Sequence, residues 1–269
     1  NTEYLDLNDT LLSIKMKLIG SDDKDFTEDV DVGFSNYMFH ALFKDVILSF
    51  NGVKIEGGNN TYAQKAIIET ILNYNEDTKN TCLAPLGYIP DVAVRKEMAS
   101  KSKPFSLCGS LQLDFMDQPK YLIPGVNVHI RLKRSESKFC LESYGNGKTD
   151  VKVTPNYKIL DAKLIVRRVR VEPSVLTGHQ IGLNKQNAVY PIKTKEIAAF
   201  SVAHLSSSFY KEQMFGDKRL LIFVLVAFQT DSQYSGNYKE KCWTFNHFDV
   251  NSITLSRNTD FRETYTQDF

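Results

Sequence analysis

The segment NNTYAQKAIIETILNYN, residues 59–75, decides how the rest of the chain is read. It carries the one sustained helical period in a sequence otherwise built of short alternating runs. Ala63, Ala66, Ile67, Thr70, Ile71 and Tyr74 recur at the i, i+3, i+4 spacing of a single helix face. Ile68 and Leu72 widen that face, so the helix is expected to be mostly buried. Thr61 followed by Gln64 fits a capping box, in which two side chains satisfy backbone N–H groups at the helix start. Gly57 and Gly58 break the chain just before it, and Asn51-Gly52 ends a strand-like run upstream. A lone buried helix in a β chain is expected to plug one end of a sandwich or barrel.

Strand signals surround this helix. Leu12, Ile14, Met16 and Leu18 alternate with Ser13, Lys15 and Lys17, the period of a half-buried strand. Asn51-Gly52 is a strong type I′ hairpin signal between residues 46–50 and 53–55. Phe105, Leu107, Gly109, Leu111, Leu113 and Phe115 alternate with polar partners, as do Val126, Val128, Ile130 and Leu132. Residues 139–142 predict a short strand before the loop Gly145-Asn146-Gly147. Residues 157–171 predict a long strand with Ile159, Ala162, Leu164, Val166 and Val169 inward. Residues 34–43 form a short helix or an irregular aromatic stretch, and residues 75–103 a long loop with a short helix near 92–98. A loop that long inside a compact domain is usually functional or interfacial. Pro173 favours an extended Glu172 and a chain break, after which Ser174 could cap a short helix to about Leu183. Strands are expected again at residues 190–202, 219–228 and 247–256. This places a boundary near residue 172 and leaves the second segment with too few strands to cover its own edges. Either the first segment pairs with it or the natural chain continues beyond Gln267-Asp268-Phe269, and the second is the expectation. Short strands with frequent turn signals suit a sandwich or jelly roll.

Composition narrows the function classes. The 269 residues carry 33 basic and 32 acidic side chains, a formal charge of +1, so no global field recruits nucleic acid or an acidic surface. The four cysteines (Cys82, Cys108, Cys140, Cys242) stand singly, the usage of packed free thiols in a reducing compartment. The N-x-S/T triplets at Asn8 and Asn59 are short enough to arise by chance and are uninformative. Signal-peptide, membrane-span and lipidation patterns are missing, and the longest apolar run, residues 220–228, has nine residues. The expectation is a soluble protein made in the cytosol.

Catalytic signatures are missing as well. The five histidines (His40, His129, His179, His204, His247) are isolated, whereas a metal site on a jelly roll needs several ligands converging from one strand pair. His129 reads as an outward polar residue on a strand, and His247 as a strand-edge residue packed between Phe245 and Phe248. Asp22-Asp23 reads as a solvated charge run, and Cys108 and Cys140 as small core hydrophobes. No phosphate-binding or nucleophile-elbow motif occurs. No catalytic, cofactor-binding or metal-binding residue is therefore assigned, and the chain is not expected to be an enzyme. Basic runs at residues 167–170 and at Arg131, Lys133 and Arg134 leave open a weak contact with DNA.

Several stretches together carry a resemblance: residues 5–12, 59–62 and 69–74, then 120–132 with Phe139-Cys140-Leu141. Residues 162–171 with Pro173-Ser174-Val175, Tyr190-Pro191-Ile192, Gly236-Asn237-Tyr238 and 245–248 extend it over nearly the whole chain. They resemble an animal protein family associated with Maverick/Polinton-type DNA elements, similar to the double-jelly-roll major capsid proteins of DNA viruses. The resemblance implies a mainly β fold of two tandem jelly rolls with a few short helices. The first jelly roll is expected at residues 1–172 with an inserted helix at 60–75, the second at 173–269 and incomplete.

It also implies a structural role: trimers forming pseudo-hexagonal capsomers of an icosahedral virion shell, with neighbouring capsomers and minor capsid proteins as partners. Assembly is expected inside the cell, in cytoplasm or nucleus. The long loop 75–103 and the aromatic stretch 36–43 are expected at contacts between subunits. A minor capsid or vertex protein of the same viruses and a ligand-binding β-sandwich module are the alternatives.

Overall fold

A computed structural model describes residues 2–28, 30–144, 154–204, 206, 208–211, 221–257 and 261–266, with side chains up to residue 255. The loop expected at Gly145-Asn146-Gly147, the first two residues of the run expected at 219–228, and Gln267-Asp268-Phe269 lie outside the described residues.

The chain is mainly β with several short helices. It opens with β1 (Tyr4–Gly20) and β2 (Val32–Phe34), followed by one helical turn, α1 (Met38–Ala41). The hairpin β3 (Phe43–Phe50) and β4 (Val53–Glu56) leads into α2 (Tyr62–Asn73), α3 (Glu76–Cys82) and α4 (Val92–Ala99). Then come β5 (Phe105–Gly109), β6 (Val128–Arg134), the turn α5 (Ser137–Cys140), β7 (Leu141–Ser143) and β8 (Pro155–Val169). Beyond these lie α6 (Pro173–Leu183), α7 (Asp231–Ser235) and the hairpin β9 (Ser252–Arg257) and β10 (Phe261–Thr266).

Among the described residues four antiparallel sheets result, in the orders β5-β1-β8, β4-β3-β6, β2-β7 and β9-β10. The alternation along β1 is realised: Leu12, Ile14, Met16 and Leu18 are buried while Ser13, Lys15 and Lys17 are not. Ile14 of β1 lies opposite Leu107 of β5 and Ala162 of β8, so β1 is the spine of its sheet. The β3–β4 hairpin closes as the sequence predicts. Asn51 and Gly52 both take left-handed φ (50° and 83°), as a type I′ turn requires, and Phe50 pairs with Val53. Gly57 is also left-handed, and a Cβ there would sit 2.1 Å from the Val46 carbonyl oxygen, so only glycine lets the chain leave the hairpin so close to β3.

One apolar core joins the first three of these sheets. It includes Met16, Leu18, Phe34, Phe39, Leu48 and Leu107, and Cys242 from the far end of the sequence is part of it. Tyr190, Ile192, Tyr238 and Trp243 pack against the same core. The segment after residue 172 therefore leans on the first.

Several local expectations are corrected. The ladder expected through Phe115 stops at Gly109; residues 111–116 turn back, with the Met116 amide donating to the Leu113 carbonyl, and bury Leu111, Leu113 and Phe115. The 75–103 region is not one loop. The short helix expected near 92–98 is α4, but the region also holds α3 and two 3₁₀ turns, Ala84–Leu86 and Ser100–Ser102. Residues 190–202 form no ladder: Pro191 has no N–H, and Tyr190, Ile192 and Lys195 use their contacts on the first segment instead. Ser174 does not cap α6, which begins at Pro173 with Glu172 as its N-cap residue. Within β8 only the first residues are buried, and Leu160, Leu164 and Ile165 are exposed although the period assigned Leu164 inward.

Candidate interaction surface

Helix α2 is the element on which the exposed and buried features converge. Its inner stripe (Tyr62, Ala63, Ala66, Ile67, Thr70) is buried as the period predicts. Ile71, Leu72 and Tyr74 are exposed, so the helix is half buried rather than plugged into the core. Thr61 has φ −121° and ψ 17°, not the extended geometry of an N-cap, and its side chain makes no capping bond.

Under the buried stripe lies a polar cluster that periodicity could not reveal. His40 Nδ1 is 2.9 Å from the Tyr62 hydroxyl, which also accepts from the Gln112 amide at 3.2 Å. The Tyr37 and Thr70 hydroxyls are 2.8 Å apart, and Gln112 Nε2 donates to Tyr37 at 3.1 Å. Burial pulls the His40 imidazole down to about 3, and pushes the Tyr37 and Tyr62 phenols above their ordinary range. His40 is sealed from solvent among Tyr37, Phe39 and Tyr62, and that burial disfavours its charged form. Only its sequence neighbours Tyr37 and Phe39 hinted that position 40 faces rings.

At the edge of this cluster, Lys65 bridges Glu56 and Asp114, each at 2.7 Å. Burial works against the Lys65 charge, but the two carboxylates hold the ammonium above its usual range. Burial raises the Glu69 carboxyl, which pairs with Lys195 at 3.3 Å, and the Lys195 amide donates to Asp114 at 2.8 Å. These bonds fasten the 190–195 segment onto α2.

The expected contact loop is fastened similarly. Arg95 of α4 is 4% exposed and forms an ion pair with buried Glu142 of β7 at 3.2 Å. Arg95 also donates to the Phe34 carbonyl, while the Tyr144 hydroxyl donates to Glu142 at 2.9 Å. Trp243 Nε1 donates to the Asn36 carbonyl at 2.7 Å, and the Asn36 side chain accepts from the Ile89 amide. The aromatic stretch 36–43 is thus an interior hub: Tyr37, Met38, Phe39, His40 and Ala41 are all buried, against the expectation that it meets neighbouring subunits.

The outer side of α2 borders an apolar groove of about 350 Å³, walled by Ile68, Ile71, Leu72, Val226, Phe228 and Phe245. His247 lies at its rim. It is exposed in a turn and close to Asp249 (3.3 Å), not on a strand edge between rings. His129 is on β6, facing out as predicted. Cys140 and Cys242 are buried, and burial pushes Cys242 up to about 12 and Cys140 above its ordinary range, which keeps both thiols protonated.

The basic run on β8 is met by acidic partners: Arg167 pairs with Asp9 and lies 3.5 Å from Asp6, and Arg168 and Arg170 both reach Glu3. Lys133 donates to Asn60 and Arg134 lies over the Tyr157 ring. Among the described residues, no group of three or more His, Cys, Asp or Glu could hold a metal ion. No described helix is long and apolar enough to cross a membrane.

No known family profile matches the chain. An uncharacterized protein of Caenorhabditis elegans is 22% identical over 232 residues, which is 82% of this chain and 53% of that protein. The chain thus spans about half the length of the curated relative it matches.

Proposed function

We propose that the chain is a capsid-type structural protein, built as tandem jelly rolls at residues 1–172 and 173–269, that acts by self-assembly. Three copies would form a pseudo-hexagonal capsomer, and capsomers would tile an icosahedral shell inside the producing cell. The observation that carries this reading is the apolar surface left open on one side of the molecule. Ile71 and Leu72 of α2, with Leu225 and Val226 beside them, are each about half exposed, and Ile222 and Phe223 are more so. Isolated exposed apolar residues are normal, but Ile71, Leu72, Leu225 and Val226 line one groove, and a set of this kind marks a surface that is covered in the working state. The sequence resemblance supplies the kind of partner, further copies of the same chain. The ion pairs on β8 argue against a strong electrostatic role toward packaged DNA.

Electron microscopy of the purified protein tests this. Shells or trimers are expected, while monodisperse monomers would overturn the reading. In particles containing other capsid proteins, a copy number far below that of a shell-forming subunit would indicate a minor capsid or vertex role.

The α2 groove favours one rival, a ligand-binding β-sandwich. Its volume is at the lower end of the range for small-molecule sites, and its lining is apolar. A monomeric chain that binds an apolar fluorescent probe, and loses that binding on Ile71→Glu, would replace the capsid reading.

A further inference from the structure

The outer edge of β8 has no partner strand among the described residues, because the sheet order ends β5-β1-β8. From Ile159 to Ile165 the strand reads Ile-Leu-Asp-Ala-Lys-Leu-Ile. That run is a palindrome in chemistry: about Ala162, aspartate mirrors lysine, leucine mirrors leucine and isoleucine mirrors isoleucine. An antiparallel strand pair related by a two-fold axis at Ala162 would set each residue opposite its mirror position on the other copy. Asp161 would face Lys163 of the second copy, and Lys163 its Asp161. The matched run is Asp161, Ala162 and Lys163: Leu160 sits at a β-bulge, and Ile159, opposite Met16, lies on the other face from Ile165, opposite Leu11.

Exposure agrees with this register. Leu160, Leu164 and Ile165 are 43%, 46% and 53% exposed, and Asp161, Ala162 and Lys163 are exposed as well. The faces agree for Asp161, Ala162 and Lys163. The bulge between the Met16↔Ile159 and Lys15↔Asp161 pairs resets the pleat. Ala162 and Leu164 then lie opposite Ile14 and Leu12 on the core side, and Asp161 and Lys163 opposite Lys15 and Ser13 on the other. Within one chain Asp161 and Lys163 already lie 2.8 Å apart. A two-fold partner would extend this pair into a square of alternating charge. Like charges directly opposite across strands are destabilising and opposite ones stabilising, so this run favours a second copy of itself at one register. Exposed strand edges are usually blunted by unmatched charge. Here the charges match.

We propose that β8 is a self-complementary edge through which two copies of the chain pair antiparallel about Ala162, giving a continuous six-stranded sheet in the order β5-β1-β8-β8-β1-β5. The contact is isologous, the kind a two-fold axis requires. It does not depend on the capsid reading. In a shell it would serve contacts between neighbouring capsomers, and outside one it would give a dimer.

Sedimentation equilibrium on the 269-residue chain and its charge variants tests the proposal. Because of the two-fold axis, Asp161→Lys alone or Lys163→Asp alone places like charges opposite each other twice, and should weaken dimerisation by about tenfold. The double variant Asp161→Lys/Lys163→Asp restores complementarity and should recover most of the wild-type affinity, a recovery that general damage to β8 would not allow. A second measurement uses Ala162→Cys in a Cys82→Ser background, which removes the exposed native thiol. Directly opposed strand residues lie within disulfide reach, so mild oxidation should trap a dimer through position 162, and Lys158→Cys should not. A wild-type chain that stays monomeric at every concentration would overturn the pairing, and would mean that this edge is covered by another segment or partner. A dimer indifferent to both charge reversals and not trapped at position 162 would overturn it equally.

Discussion

At the scale of single residues, one motif shows how far local pattern goes. Thr61-x-x-Gln64 and Thr230-x-x-Gln233 are the same capping pattern in sequence. Only the second forms the reciprocal box, with the Thr230 hydroxyl accepting from the Gln233 amide and Gln233 returning to the Thr230 N–H. Thr230→Ala should cost about 1 kcal/mol in a denaturation midpoint and Thr61→Ala much less. His40 carries a pH prediction. Its folded-state value is lowered to about 3 from 6.5 by burial among Tyr37, Phe39 and Tyr62, so the folded chain resists protonating it. Its stabilising contribution is complete above about 6.5 and is lost as pH falls from there toward about 3. Unfolding free energies from urea titrations across that window should fall by an amount on the order of a few kcal/mol. His40→Gln should hold its own neutral-pH stability better over the same range. The buried Arg95–Glu142 pair gives a third expectation. Arg95→Met leaves Glu142 an uncompensated buried charge and should cost about 3–5 kcal/mol, while Arg95→Met/Glu142→Met should cost less than that single change, measured by thermal or urea unfolding.

At the scale of elements, α2 was readable as a helix because its period spans three turns, but its surroundings were not. The same apolar period serves a fully buried helix and one that borders a groove, and only the packing of residues 225–228 and 245–253 nearby distinguishes them. Ile67→Pro removes a backbone bond at the centre of the buried stripe and should cost about 3 kcal/mol or more. Circular dichroism and sedimentation would follow it, with loss of assembly expected alongside loss of helix. Assembly that survives the change would separate α2 from the contact surface. Strand β8 makes the complementary point. Its length and alternation were legible, and Ile159 packs against the core, yet Ala162 and Leu164 share the face of Ile14 and Leu12 without being buried, because the other layer of the core does not reach them.

At the scale of the whole molecule, a single tryptophan reports on whether the two segments behave as one. Trp243 packs edge-on against Phe139 at 5.2 Å and bonds to Asn36, so it reads the docking of the later segment onto the first. Because Cys242 belongs to the common core, Trp243 fluorescence and far-UV dichroism should lose their native signals at the same denaturant concentration. Trp243→Ala should lower the unfolding free energy read by far-UV dichroism by about 3 kcal/mol. Separate transitions would mean that the segments fold independently.

The sequence alone determined what depends on neighbours within a few positions: the β period of β1 and β6, the left-handed hairpin turn at Asn51-Gly52, the helical span of α2 and the break at Pro173. Short-range sterics and side-chain spacing encode those features wherever the segment ends up. Tertiary structure decided the features that join distant residues. It brought Arg95 to Glu142, sealed His40 beneath Tyr62, drew residues 190–195 into contact with Asp114 instead of a new strand, and left the matched edge of β8 open. Burial and pairing at these sites depend on which surface arrives from elsewhere in the chain, and no local pattern records that.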